Sequence, residues 1–366
     1  MTRESLCNRD WDSIVERLGG AAGLEKSARE TKALVRARVI ENAVALLRMI
    51  LAYCLGTQGL RLTSVWATAI GLADISNVGL LYRLRQSGDW LALLVGQALT
   101  AGAPTSACGR LIRIIDGTAV AKAGCQTRRR AGLWRIHSAF DLPAERFGAF
   151  EVTDEKGGER LDRIAAVAGE IRIADRAFLQ PDRMGPILDA GADLVVRAGW
   201  RNAKWLGAQG QSMDLRDLFQ KGQAGGLIDT PIWLGRKKGK PLAMRLVAVR
   251  KPEAAAEAAR RKAKAEARRR KHQLCEGTLA AADWVILVTS LSVDDFTATE
   301  VLDLYRLRWR IELAFKRLKS LVGLKRPPGV DERSARPWVL AHLLMIVLLE
   351  PLVDEFENSP RLAYAA

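Results

Sequence analysis

One short stretch sets four chemically capable side chains at helical spacing. In YRLRWRIELAFKRLK, Tyr305, Arg308, Glu312 and Lys319 stand at offsets of 0, 3, 7 and 14. At about 100° per residue these offsets share an arc of about 60°, along roughly 21 Å of helix. Between Tyr305 and Arg326 the chain carries eight basic residues and one acidic residue, Glu312. Ordinary i,i+4 pairing, such as Glu312 with Lys316, needs far fewer cations than that. A lone carboxylate in a cationic field suits a metal ligand beside bound phosphates.

Two further carboxylates stand where chemistry is often placed. Asp116 follows the apolar run Leu111–Ile115, and Asp175 follows the run 170–174. Carboxylates at the ends of central strands converge on one sheet edge, where α/β proteins hold ligands. Asp is also common in turns, and Asp154, within DEKGGE, is read as a turn residue. Three carboxylates in a basic setting suit two Mg²⁺ or Mn²⁺ ions acting on a phosphodiester. Such hard ions take oxygen ligands. Zinc is poorly supplied here, with three histidines and five scattered cysteines, none in a C-x-x-C pair.

The elements that must position these groups follow from apolar periodicity. Residues 1–105 are expected to be helical, with one amphipathic helix over 28–55 and a helical pair over 71–94 capped near Ser76 and Asn77. From Arg110 the pattern changes to short β-branched runs at 111–115, 134–140 and 147–152. A helix near 159–168, a strand at 170–174, a helix over 181–190 and a strand at 193–197 come next. This order, β-β-β-α-β-α-β, predicts a mixed α/β sheet flanked by helices. Residues 198–282 interrupt it with a hairpin, 228–234 and 242–249, around a basic turn. After that hairpin, 251–271 is built of Ala, Glu, Lys and Arg, with nine basic and three acidic residues, and predicts a polar helix. A strand at 284–289, a long helix over 297–321 and a final helix over 339–352 complete the chain. Trp309 and His137 are expected to be packing residues.

The whole chain is strongly basic. Its 57 Lys and Arg against 41 Asp and Glu give a net charge of +16, and 49 % hydrophobic residues exclude a mostly disordered chain. A folded protein of that charge calls for a polyanion, most simply nucleic acid. The polar start and the absence of a 20-residue apolar run predict a cytoplasmic, nucleoid-associated protein with no membrane partner.

The signature Tyr305, Arg308, Glu312, Lys319 resembles that of the DDE transposases of bacterial insertion sequences, in the group marked Tyr-x2-Arg-x3-Glu-x6-Lys. Asp116 in IIDGT and Asp175 in IADRAF resemble the other two catalytic carboxylates, with Arg176 as a frequent companion. The gap of 137 residues between Asp175 and Glu312 resembles the subgroup with a β-rich insertion inside an RNase H-like core. The resemblance implies a helical DNA-binding region at 1–105, a core at 106–197 plus 283–352, and an insertion domain at 198–282. It also implies cleavage of element ends and their joining to target DNA, through a hairpin intermediate, by two Mg²⁺ or Mn²⁺ ions on Asp116, Asp175 and Glu312. The partners implied are double-stranded DNA, as terminal inverted repeats and target, and a second copy of the chain in the DNA complex. Tyr305, Arg308, Lys319, Lys316 and Arg176 would contact DNA. Trp284 resembles the tryptophan that stacks on an extruded base, and equally reads as a core residue opening a strand. A nuclease of RNase H-like fold, and a domesticated transposase that only binds DNA, are the competing functions.

Overall fold

The computed structural model of this chain describes residues 11–100, 109–122, 132–142, 146–222, 226–271, 273–320, 323–324, 326–328 and 331–358. After a helical stretch at 11–17, the N-terminal region holds α1 (Gly20–Glu30), α2 (Ala43–Leu55), α3 (Leu60–Ala69), α4 (Asn77–Gln86) and α5 (Gly88–Thr100). The single helix expected over 28–55 is therefore two. The chain turns where Lys32 adopts φ 61°, and α2 starts afresh with Asn42 accepting the Ala45 N–H at 2.8 Å. Glu25 of α1 accepts the Ala43 N–H at 2.9 Å and ties the two helices together. Ser76 caps α4 as expected, accepting the Gly79 N–H at 3.1 Å.

Nine strands form one sheet. They are β1 (Ile112–Ala121), β2 (Leu133–Leu142), β3 (Arg146–Thr153), β4 (Ile171–Ala174), β5 (Asp193–Arg197), β6 (Lys204–Leu206), β7 (Leu227–Gly235), β8 (Leu242–Arg250) and β9 (Trp284–Thr289). Their order is β3-β2-β1-β4-β5-β9-β8-β7-β6. β4 runs parallel to β1 and β5, and every other pair is antiparallel. β6, β7 and β8, from the segment 198–282, continue this same sheet through the pairing of β8 with β9. The central strands β4, β5 and β9 are apolar along almost their whole length because helices cover both faces.

The helices after the first strands are α6 (Pro181–Asp189), α7 (Leu215–Gly222), α8 (Glu253–Arg269), α9 (Glu276–Ala282), α10 (Ala298–Arg306), α11 (Trp309–Ser320) and α12 (Glu332–Asn358). One core packs α1–α5 and α10–α12 against Ile114, Ile173 and Phe147 of the sheet. The other packs α6 and α7 against Ile115, Ala174 and Ile286. The two ends of the chain thus share one helical layer, with α12 against α2, α4 and α5. This is the mixed sheet flanked by helices of the RNase H-like type. Among the described residues no helix is long and apolar enough to cross a membrane.

Two further expected helices differ from the structure. Over 159–168 only a 3₁₀ turn forms, at Leu161–Arg163. The buried Arg172 guanidinium donates to the carbonyls of Leu161, Ile164 and Ala165 at 2.7, 2.9 and 2.6 Å, so the backbone wraps a side chain instead of itself. The helix expected over 297–321 breaks at Leu307–Arg308. There the N–H groups of Leu307 and Arg308 bond only three residues back, to Leu304 and Tyr305.

Candidate active site

The register of β1 and β4 builds the site. Their last parallel pair is Ile115 with Ala174, so Asp116 and Asp175 come next on the two strands. Alternation puts Asp116 on the side of Ile114 and Asp175 on the side of Ile173, the face that α10 and α11 cover. β4 stops at this point, and Asp175 caps the following 3₁₀ turn by accepting the Arg176 N–H at 2.7 Å. β1 continues to Ala121 beside β2. Asp116 therefore lies within a strand and not at its end, because antiparallel pairing carries β1 on after parallel pairing has ceased.

The break between α10 and α11 supplies the next group. Arg308, in that break, reaches Asp116 Oδ2 with Nη1 at 3.4 Å and Glu312 Oε1 with Nη2 at 2.5 Å. Lys319 Nζ donates to Thr118 Oγ1 at 2.6 Å, and Thr118 shares the β1 face of Asp116. α11 is thereby laid along β1. Tyr305 stands on α10 and Glu312 and Lys319 on α11, so the four signature residues do not ride one continuous helix face. The link between the helices brings Arg308 to the carboxylates.

Burial pushes the Asp116 carboxyl up to about 6. The Gly117 N–H, 2.7 Å from Oδ1, and Arg308 pull it back, while Asp175 and Glu159 push it further up. Burial also raises the Tyr305 phenol, against the pull of Arg197 and Arg308. Glu159 is a carboxylate that sequence reading assigned only to a helix start. It pairs with Arg135 at 3.5 Å, and tertiary folding alone brings it near Asp116.

The remaining expected residues are scattered around this centre. Arg176 is exposed beside Asp175 and lines a cavity, and Lys316 is exposed on α11. Trp284 is 4 % exposed and stacks on Phe219 with ring centroids 5.5 Å apart, in the core on the other side of the sheet. Trp284 also lines the cavity that reaches Asp175 and Arg176. Trp309, expected to pack, is 48 % exposed, with the Arg310 guanidinium 5.0 Å from its ring centroid. His137 is buried, with Nε2 2.9 Å from Thr153 Oγ1.

Asp116, Asp175 and Glu312 offer hard oxygen donors, which fit a divalent ion in kind. Among the described residues no three such groups are gathered closely enough to hold a metal, and Arg308 spans Asp116 and Glu312.

Residues 107–348, from just before β1 into α12, match the family described as Transposase DDE domain. The chain belongs to the DDE transposases. Its likeness to curated relatives runs further still. The protein named transposase InsL of insertion sequence element IS186A, from Escherichia coli (strain K12), is 38 % identical over 358 residues, covering 96 % of each chain. The transposase of insertion sequence element IS421, from Escherichia coli, is 38 % identical over 359 residues, again covering 96 % of each. This DDE transposase is therefore of the insertion-sequence kind along almost its full length.

Proposed function

We propose that this transposase cleaves the ends of its insertion sequence and joins them to target DNA by cut-and-paste transposition with a hairpin intermediate. What supports the reading is the register of β1 and β4, after which Asp116 and Asp175 come next on neighbouring strands, together with Arg308, which joins Asp116 to Glu312. Asp116, Asp175 and Glu312 are the residues that would hold two Mg²⁺ or Mn²⁺ ions, whose chemistry is to activate a water or 3′-hydroxyl and stabilise the leaving oxygen. Arg308 ties Asp116 to Glu312 across the break between α10 and α11. Lys319, Lys316, Tyr305 and Arg176 line the approach of DNA phosphates, in a chain whose charge makes binding steeply salt-dependent. Trp284, on the cavity that reaches Asp175, would stack on a base extruded for the hairpin step. Helices of residues 1–105 read the terminal repeats, and two copies of the chain act on paired ends.

Cutting of a plasmid that carries the element's ends, with Mg²⁺ present, tests the assignment. The wild-type chain is expected to cut at the ends, and Asp175→Asn and Glu312→Gln are expected not to. A variant that cuts at the normal rate sinks the site. Cutting without regard to the ends marks a general nuclease, and end binding without cutting marks a domesticated chain.

A further inference from the structure

Arg308 is a cation placed where the site chemistry calls for one. Its guanidinium reaches Asp116 Oδ2 at 3.4 Å through Nη1 and Glu312 Oε1 at 2.5 Å through Nη2. A Mg²⁺ shared by two carboxylates needs an oxygen from each at about 2.1 Å from one centre. Here the two carboxylates meet a planar side chain instead of a common centre. Among the described residues no three acidic, His or Cys groups are gathered closely enough to hold an ion. The free chain therefore satisfies its own acidic pair.

The bridge is also one that can open. Its contact with Asp116, at 3.4 Å, is longer than the roughly 2.7–2.9 Å of a settled charge-assisted bond. Its other anchor, Glu312, has a side chain 59 % exposed, so water reaches that end of the bridge. Among the described residues these are the only ion pairs of Arg308, and a guanidinium carries five N–H donors. Donors remain for an arriving anion. The anion that fits an arginine fork best, besides a carboxylate, is a phosphate. Lys316 lies exposed on α11 four residues beyond Glu312, and Lys319 holds Thr118 at 2.6 Å, so a phosphate approaching Arg308 meets further cations.

We propose that Arg308 gates the metal site. In the free chain it holds Asp116 and Glu312 as an internal counter-ion and keeps a divalent ion out. A DNA phosphate that takes its guanidinium frees the pair. The proposal rests on the reading of Asp116 and Glu312 as metal ligands. Arg308 then couples two ligands: DNA raises affinity for the ion, and the ion raises affinity for DNA by the same factor. The site is thereby filled where a strand is seated and kept closed elsewhere.

Mn²⁺ is the probe, titrated into full-length, DNA-free protein, with the unbound ion followed by electron paramagnetic resonance. The wild-type chain is expected to bind it weakly. Arg308→Gln, which removes the charge and keeps a polar side chain, should tighten binding at least about tenfold, and Arg308→Ala should do the same. Melting temperatures check that both variants fold. Lys316→Ala removes an equal charge from the same region of α11 and should change affinity less than about twofold. Adding Asp116→Asn to Arg308→Gln should abolish the gain. A duplex carrying the element's end should tighten Mn²⁺ binding to the wild type, and by less in Arg308→Gln. No tightening by either Arg308 variant, equal tightening by Lys316→Ala, a gain that survives Asp116→Asn, or an unchanged effect of the duplex each overturn the gate. Asp116→Asn alone, assayed for Mn²⁺ in the DNA complex, separates the two readings. Normal binding sinks the metal reading of the site, whereas lost binding with no effect of Arg308 sinks only the gate.

Discussion

β1 and β4 carry two clusters of arginine and carboxylate, one at each end of their parallel register. At the first end Arg113 stands across from Arg172. Arg113 holds Asp141 through two bonds of 2.6 and 3.0 Å and reaches Glu170 at 3.0 Å. Arg172 binds Glu170 at 2.5 Å and spends its remaining donors on three carbonyls. Two cations meet two anions, and Glu170 and Arg172 are fully buried. At the other end Arg308 alone faces Asp116 and Glu312, with Asp175 nearby, and the Glu312 side chain is 59 % exposed. Saturation and burial make the first cluster a part of the fold. Charge deficit and access make the second a place that receives something positive.

The largest expected effect comes from the open cluster. Asp116→Asn should reduce end cleavage by about a thousandfold. It should leave thermal stability equal or higher, because a neutral amide relieves the burial that pushes this carboxyl up to about 6. A variant that melts well below the wild type would place Asp116 with the structural cluster. The converse break is Arg172→Met. It takes one of the two cations from Glu170 and leaves three carbonyls without their donor in the core, and urea unfolding should show a loss of about 3–5 kcal/mol. A loss under about 1 kcal/mol would mean that the buried network is not a unit. Gly148→Ala attacks the same network from outside, since an added Cβ would lie 2.0 Å from Asp141 Oδ2. A loss of about 1–3 kcal/mol is expected, read in the same urea assay, and Asp141→Asn should not rescue it.

The contrast between the clusters was only half legible in the sequence. Asp116 and Asp175 could be picked out because each follows an apolar β-branched run, and that run ends where parallel pairing ends. The mixed sheet was legible for the same reason, through the alternation of short strands with helices. The helix break at Leu307–Arg308 was not, because Leu304, Leu307, Ile311 and Ala314 keep the helical apolar period straight across it. The missing helix at 159–168 was hidden too. Its carbonyls are taken by Arg172, a side chain of the next strand, which no local propensity records. The polar helix at 251–271 was expected, yet its inner face emerges only when Ala259, Ala263 and Ala267 are seen against the cavity. Trp284 could be read either way from its spacing, and the structure sets its ring against Phe219 and on the cavity that reaches Asp175.

The smallest effect comes from acid, and it supplies the reference that both charged clusters lack. His342 in α12 is 2 % exposed and places Nδ1 2.8 Å from the Trp338 carbonyl. Burial lowers its pKa to about 4, and the Trp338 carbonyl recovers a part. No charged side chain contributes, so this imidazole is kept neutral by the core alone. Below about pH 6.5 the unfolded chain takes up a proton that the folded chain refuses, until about pH 4. Stability therefore falls as pH falls through that window, by at most about 1.4 kcal/mol per pH unit, and this group adds nothing above it. His137, lowered to about 4 by burial and by Arg163 and Arg135, adds a similar slope. Urea unfolding of His342→Leu at pH 7.5 and 5.5 should show roughly a third of the acid loss of the wild type, since Asp116, raised to about 6, gains stability over the same interval and offsets a part of the His137 loss. An equal loss in both proteins would trace the acid sensitivity to the charged clusters, and the division between a saturated, inert network and an open, responsive one would then have to be redrawn.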